Sequence, residues 1–171
     1  ELSHVCRDHG IVVISDEIYA LCDFSGREYT GFSKYYPEGT IVTSGLSKGH
    51  SAGGYRLGVL AAPSNMKLLM KSLAAMVSET FSAVSAPIQA AGVIAYQDDP
   101  EMNAHAARCT EVHALTGMYL HRRFKAMGLE CPKPEGAFYL FPSFENFSQA
   151  LLKRGIQTAQ GLCDLLLDQY D

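Results

Sequence analysis

The sequence predicts an α/β chain on three observations: short β-branched apolar runs near its start, glycine-rich connections between them, and helical periodicity from residue 66 onward. Residues 1–9 read as a helix closed by Gly10. Residues 11–15 form a continuous apolar run of strand length and fit a strand buried on both faces. The next stretch, 23–39, sets Gly26, Gly31, Pro37 and Gly39 among tyrosines and reads as a turn-rich connection. Residues 40–43 give a second strand, and 56–62 a third apolar segment ended by Pro63. Met66, Leu69, Met70, Leu73, Met76 and Val77 then recur at helical spacing, the methionines serving as core packing. A further helix is expected over 88–96, beginning beside Pro87. Asp99-Pro100 marks a stop and restart before a long helix over 101–127 that ends at Gly128. Residues 136–141 are a strand candidate closed by Pro142, and 148–154 and 158–170 read as helices separated by Gly155. The change of pattern near Asp99 divides the chain into expected domains 1–99 and 100–171.

Composition narrows the function. With 171 residues, 47% of them hydrophobic and 19% charged, the chain has the material for one core or two small ones. A net charge of -4 and a pI near 5.8 leave no basic face for a phosphate backbone, so no nucleic-acid partner is expected. The five cysteines Cys6, Cys22, Cys109, Cys131 and Cys163 are odd in number and form no Cys-x-x-Cys pair, which points to free thiols in a reducing, cytoplasmic setting. No apolar run approaches the roughly 20 residues that span a bilayer, so no membrane partner is expected. The chain opens at Glu1 inside a helical pattern without an initiator methionine, and a fragment is the expectation.

The chemistry concentrates in residues 44–58. Lys48 stands where an apolar strand breaks into a Gly-Ser-rich turn, a place where an amine can condense with an aldehyde. Arg56 follows among Gly53, Gly54 and Gly58, and its planar fork of donors suits a phosphate. Ser44 and Ser47 can add hydroxyl donors to the same phosphate. Upstream, Asp16 ends the first strand and Tyr19 follows it, and open α/β sheets place ligands beyond the carboxyl ends of their strands. Taken singly, Asp16 reads equally well as a helix N-cap, and Lys48 reads better as a solvated loop lysine until its neighbours are counted. His105, His113 and His121 recur every eight residues, an advance of about 12 Å with about 80° of rotation, so no shared metal is expected of them.

Together these residues resemble the cofactor site of class I/II aminotransferases of the fold type I group. The aspartate and tyrosine three apart after an apolar strand match Asp16 and Tyr19, the cofactor-bearing Ser-Lys pair matches Ser47-Lys48, and Gly-x-Arg-x-Gly falls on Gly54, Arg56 and Gly58. Residues 134–139, Pro-Glu-Gly-Ala-Phe-Tyr, resemble the strand that opens the family's small domain. One departure is local: many members carry a phosphate-binding serine three residues before the lysine, where this chain has Gly45. The family's upstream Asn-Pro loop, its ring-stacking aromatic and its downstream carboxylate-clamping arginine have no counterpart in these residues.

The resemblance implies the C-terminal half of a large domain, with a mostly parallel sheet and helices, plus part of a small α/β domain. It implies pyridoxal 5'-phosphate as cofactor and transfer of an amino group from an amino acid to a 2-oxo acid through a Lys48 Schiff base. Asp16 would hold the ring nitrogen protonated, Tyr19 would meet the ring oxygen, and Arg56 with Ser44 or Ser47 would anchor the phosphate. A homodimer is implied as well. The same scaffold also supports β-lyase or elimination chemistry, or a cofactor-sensing regulatory domain joined to a DNA-binding module outside these residues.

Overall fold

A computed structural model describes residues 1–170. Helix α1, Leu2–Asp8, ends as its glycine predicts: Gly10 takes φ +61°, its N–H donates to the Arg7 carbonyl, and the Ile11 N–H reaches back to that of Cys6. This left-handed reversal is open to glycine at little cost and satisfies two carbonyls left over at the helix end. The same closure follows helix α4, Pro100–Ala126, at Gly128, where φ is +84°.

Three strands form one sheet in the order β1 (Val13–Asp16), β2 (Thr40–Gly45), β3 (Gly58–Ala61). β1 and β2 run parallel, with Asp16 beside Thr43, so both strands finish at the same end of the sheet. β2 and β3 run antiparallel, with Gly45 opposite Gly58. The connection from β1 to β2 is held by short helical turns at Phe32–Lys34 and Pro37–Gly39. An ion pair between Arg7 and Glu38, with the Arg7 guanidinium 5.0 Å from the ring centre of buried Tyr36, ties this connection to α1.

Helices α2 (Lys67–Thr80), α3 (Ala86–Ala95), α5 (Ser148–Lys153) and α6 (Ala159–Tyr170) fall where apolar spacing predicts them. Two expectations need correction. Among the described residues β1 pairs with β2 alone and no element covers Ile14, which is 69% exposed, so burial of β1 on both faces is not met within this chain. Residues 136–141 are not a strand either. Gly136 makes one isolated bridge to Asp23, and Ala137 then turns into left-handed backbone at φ +55°, which stops a ladder from propagating.

The described chain divides into two compact units. One comprises Glu1–Ala114 with Glu135–Phe138, and the other Leu115–Pro134 with the residues from Tyr139 on. The division falls inside α4, past the change of composition at Asp99. In the first unit Ile41, Leu46 and Leu57 are buried. In the second, Leu129, Cys131 and Ile156 are buried.

Candidate active site

The site is built where β1 and β2 end together. At the end of β1, the Asp16 carboxylate accepts the Ile18 N–H at 3.3 Å, which reverses the chain into a short helical turn, Ala20–Cys22. Asp16 is therefore the head of a turn and not an α-helix cap, and it is exposed. It lines one hollow with Tyr19, Asp23, Arg27, Tyr29 and Glu135.

At the end of β2, the chain makes a tight turn over Ser47, Lys48 and Gly49, held by the Ser51 N–H donating to the Lys48 carbonyl and that of Ala52 to the Leu46 carbonyl. Leu46, 2% exposed, roots this turn. Gly49 is required by packing: a Cβ there would lie 2.6 Å from the Cβ of Leu21. Without a side chain, the Lys48 turn closes directly on the turn that follows Tyr19. The Thr110 hydroxyl of α4 donates to the Leu21 carbonyl at 2.7 Å and holds that turn in place.

The result brings Lys48 and Tyr19 together, with the Lys48 Nζ 5.8 Å from the Tyr19 ring centre. It also adds a residue that the sequence did not single out for the site: the Phe138 ring centre lies 5.2 Å from the same nitrogen. The Pro-Glu-Gly-Ala-Phe-Tyr motif marked this segment, but nothing in an alanine announces the left-handed turn at Ala137 that directs the ring.

A second cluster holds Ser47, Gly53 and Arg56. A Cβ on Gly53 would sit 3.9 Å from that of Ser47, and the Arg56 guanidinium donates to the Gly53 carbonyl at 2.7 Å. Arg56 itself adopts left-handed backbone, φ 56° and ψ 42°, after the turn Gly53–Tyr55. Space is open beside Gly54. Ser44 is not part of this group. In the pairing register Asp16 stands beside Thr43, so Ser44 points to the opposite sheet face, where it lines a different hollow with Val42, Val59 and His50.

Electrostatics follow the packing. Burial pushes the Cys22 thiol up, as does Cys109, while the Lys48 ammonium pulls the other way. The amide and hydroxyl of Ser25 hold the Asp23 carboxyl below its ordinary value. Burial, and then the Glu17 carboxylate, raise the Tyr29 phenol. Among the described residues no three His, Cys, Asp or Glu side chains gather as a metal would need; His105 instead approaches Cys109, at 3.6 Å, and His113 tilts against Phe138.

An amine, a phenol and a carboxylate at paired strand ends, with a guanidinium on the adjoining glycine-rich turn, form a donor set suited to a phosphorylated pyridine aldehyde. The architecture is that of a piece of the pyridoxal-phosphate transferase fold. The aspartate aminotransferase from Rhizobium meliloti superposes with a TM-score of 0.80 at 24% identity, over 98% of this chain and 42% of that one. The aromatic aminotransferase from Pyrococcus horikoshii OT3 superposes with a TM-score of 0.74 at 27% identity, over 89% and 42%.

The chain belongs to the class I and II aminotransferase family, whose model matches residues 1–166. It is 31% identical to an aspartate aminotransferase of Geobacillus stearothermophilus over 98% of its own length and 42% of the relative's. It is 32% identical to a probable N-acetyl-LL-diaminopimelate aminotransferase of Bacillus subtilis over 85% and 35%. The chain thus spans less than half the length of these relatives. No helix among the described residues is long and apolar enough to cross a membrane.

Proposed function

We propose that this chain forms part of a pyridoxal-phosphate-dependent aminotransferase acting on an amino acid and a 2-oxo acid. The carrying observation is the Lys48 amine held against the Tyr19 ring where two parallel strands end. When bound, the cofactor supplies an aldehyde that takes up amino groups and a ring that withdraws electrons from the neighbouring carbon. Lys48 would hold it covalently and, once released, carry a proton to and from the substrate α-carbon. Asp16 would keep the ring nitrogen protonated, and the Tyr19 phenol would hydrogen-bond the ring oxygen. Arg56 and Ser47 would take the phosphate, Arg56 exchanging its bond to the Gly53 carbonyl for charge-assisted bonds to phosphate oxygens. Ser44, on the other sheet face, is the weaker serine candidate.

The reading extends to the whole protein. Residues 1–99 would belong to its large cofactor-binding domain and 100–171 to its small domain. It would act as a homodimer in the cytoplasm, as part of amino acid metabolism. The relatives' names make aspartate the first donor to test.

Lys48→Ala in the full-length protein tests the role directly. Transfer from aspartate to 2-oxoglutarate should fall at least about 10²–10⁴-fold through loss of the proton carrier alone. Unchanged transfer would refute it. With serine, whose β-hydroxyl can leave as water, release of ammonia and pyruvate in place of a new amino acid would point to elimination instead.

A further inference from the structure

The segment Glu135–Phe138 is distant in sequence from the Lys48 turn yet is stitched beside it. The Phe24 N–H donates to the Glu135 carbonyl and the Ala137 N–H to the Cys22 carbonyl, both at 2.9 Å, and Gly136 bridges to Asp23. Arg27 pairs with the Glu135 carboxylate at 2.7 Å. Gly136 fits because a Cβ there would press within 3.3 Å of the Cys22 carbonyl oxygen. From this anchorage Ala137 turns left-handed and sends the next side chain toward the strand ends.

The Phe138 ring meets three different elements there. It lies edge-on to Tyr19 with centroids 5.4 Å apart and an interplanar angle of 73°, tilts against His113 of α4 at 5.3 Å, and stands 5.2 Å from the Lys48 Nζ. Burial does not account for this placement, since Phe138 is 46% exposed. What the ring gains is a cation beside it and a second ring at its edge.

We propose that Phe138 is a positioning residue for the Lys48 amine. A lysine carries its nitrogen on a flexible four-carbon stem, and ordering that stem costs entropy. Two rings flanking one nitrogen select the rotamers that keep it at the strand ends, so the ordering is complete before any ligand arrives. Preorganisation of this kind raises the rate of a bond-forming encounter without adding a reacting group. The proposal rests on the reading of Lys48 as the cofactor-bearing lysine, and Phe138 acts only through it.

The test uses the full-length protein free of cofactor, with two measurements. In protein labelled with carbon-13 at the lysine ε-carbons, the Lys48 ε-protons should be displaced upfield by the ring currents of Tyr19 and Phe138. Separately, the rate at which pyridoxal phosphate becomes fixed to Lys48 is followed by borohydride quenching and peptide mass spectrometry. Phe138→Leu should diminish the displacement and slow fixation about fivefold, a part of the rotamer entropy that ordering a lysine stem costs. Phe138→Tyr should keep both.

Unchanged displacement and rate in a folded Phe138→Leu variant would overturn the proposal, as would a Phe138→Tyr variant that behaves like leucine. Should Phe138→Leu not fold, Phe138→Met is measured by the same two readouts. Failure of the cofactor reading looks different: the parent protein then fixes no pyridoxal phosphate at Lys48. In that case the displacement alone decides whether the ring holds the amine.

Discussion

The Cys22 thiol sits one residue past the Leu21–Gly49 contact, 2% exposed and pushed up by its burial. Alkylation needs both a thiolate and access, and Cys22 has little of either. Iodoacetamide at neutral pH should therefore label exposed Cys163 well before Cys22, and peptide mass spectrometry would read the order directly. Equal rates would mean that the turn carrying Cys22 opens freely. The meeting of Tyr19 and Lys48 is legible from sequence, because each follows an apolar run at short range and parallel strands finish side by side. Ser44 is harder to place, because its sheet face depends on pairing register, and a shift of one residue reverses it. Phe138 is harder still, since its direction depends on a positive φ at an alanine, a residue that does not advertise one.

At the level of elements, the β2–β3 pair leaves no room for a side chain at Gly45. A Cβ on Gly45 would lie 2.7 Å from the Leu57 carbonyl oxygen and 3.3 Å from the Gly58 Cα, so the two strands approach too closely for any side chain there. Gly45→Ser is thus expected to weaken the fold by about 1–3 kcal/mol, the usual cost of overpacking, instead of supplying a phosphate contact. Urea denaturation of Gly45→Ser beside Ser44→Ala would check this, and equal midpoints would contradict it. Helices were the most legible elements, since α2, α3 and α4 have long periodic faces and α4 has a glycine closure. The 136–141 segment was misleading: an apolar, aromatic run has the composition of a strand, but one left-handed residue decides against it.

Across the whole molecule, acid should loosen the first unit through identifiable carboxylates. Arg7 holds Glu38 below its ordinary value, and Ser25 does the same for Asp23. A carboxyl with a depressed folded-state pKa contributes stability that is present above the ordinary carboxylate range and is lost as pH falls through the folded value. The melting temperature should fall as pH drops through and below that range, and Asp23→Asn with Glu38→Gln should flatten the dependence. A double variant with the parent's pH profile would exclude these two groups as its source. The exposure of Ile14 was illegible for a related reason, because burial belongs to whichever layer covers a strand and not to the strand itself.

The first unit is not a continuous length of chain. It runs to Ala114, breaks off, and reclaims Glu135–Phe138 after an excursion into the second unit. A gene segment trimmed after Ala114 would encode the entire Lys48 turn, Asp16, Tyr19 and Arg56, and would look complete on paper. It would nonetheless lack the hydrogen-bonded partner of Cys22 and Phe24, and one of the two aromatic walls of the lysine's berth. Dissection of this protein into modules therefore has to follow contacts, because reading order alone would discard part of the candidate site.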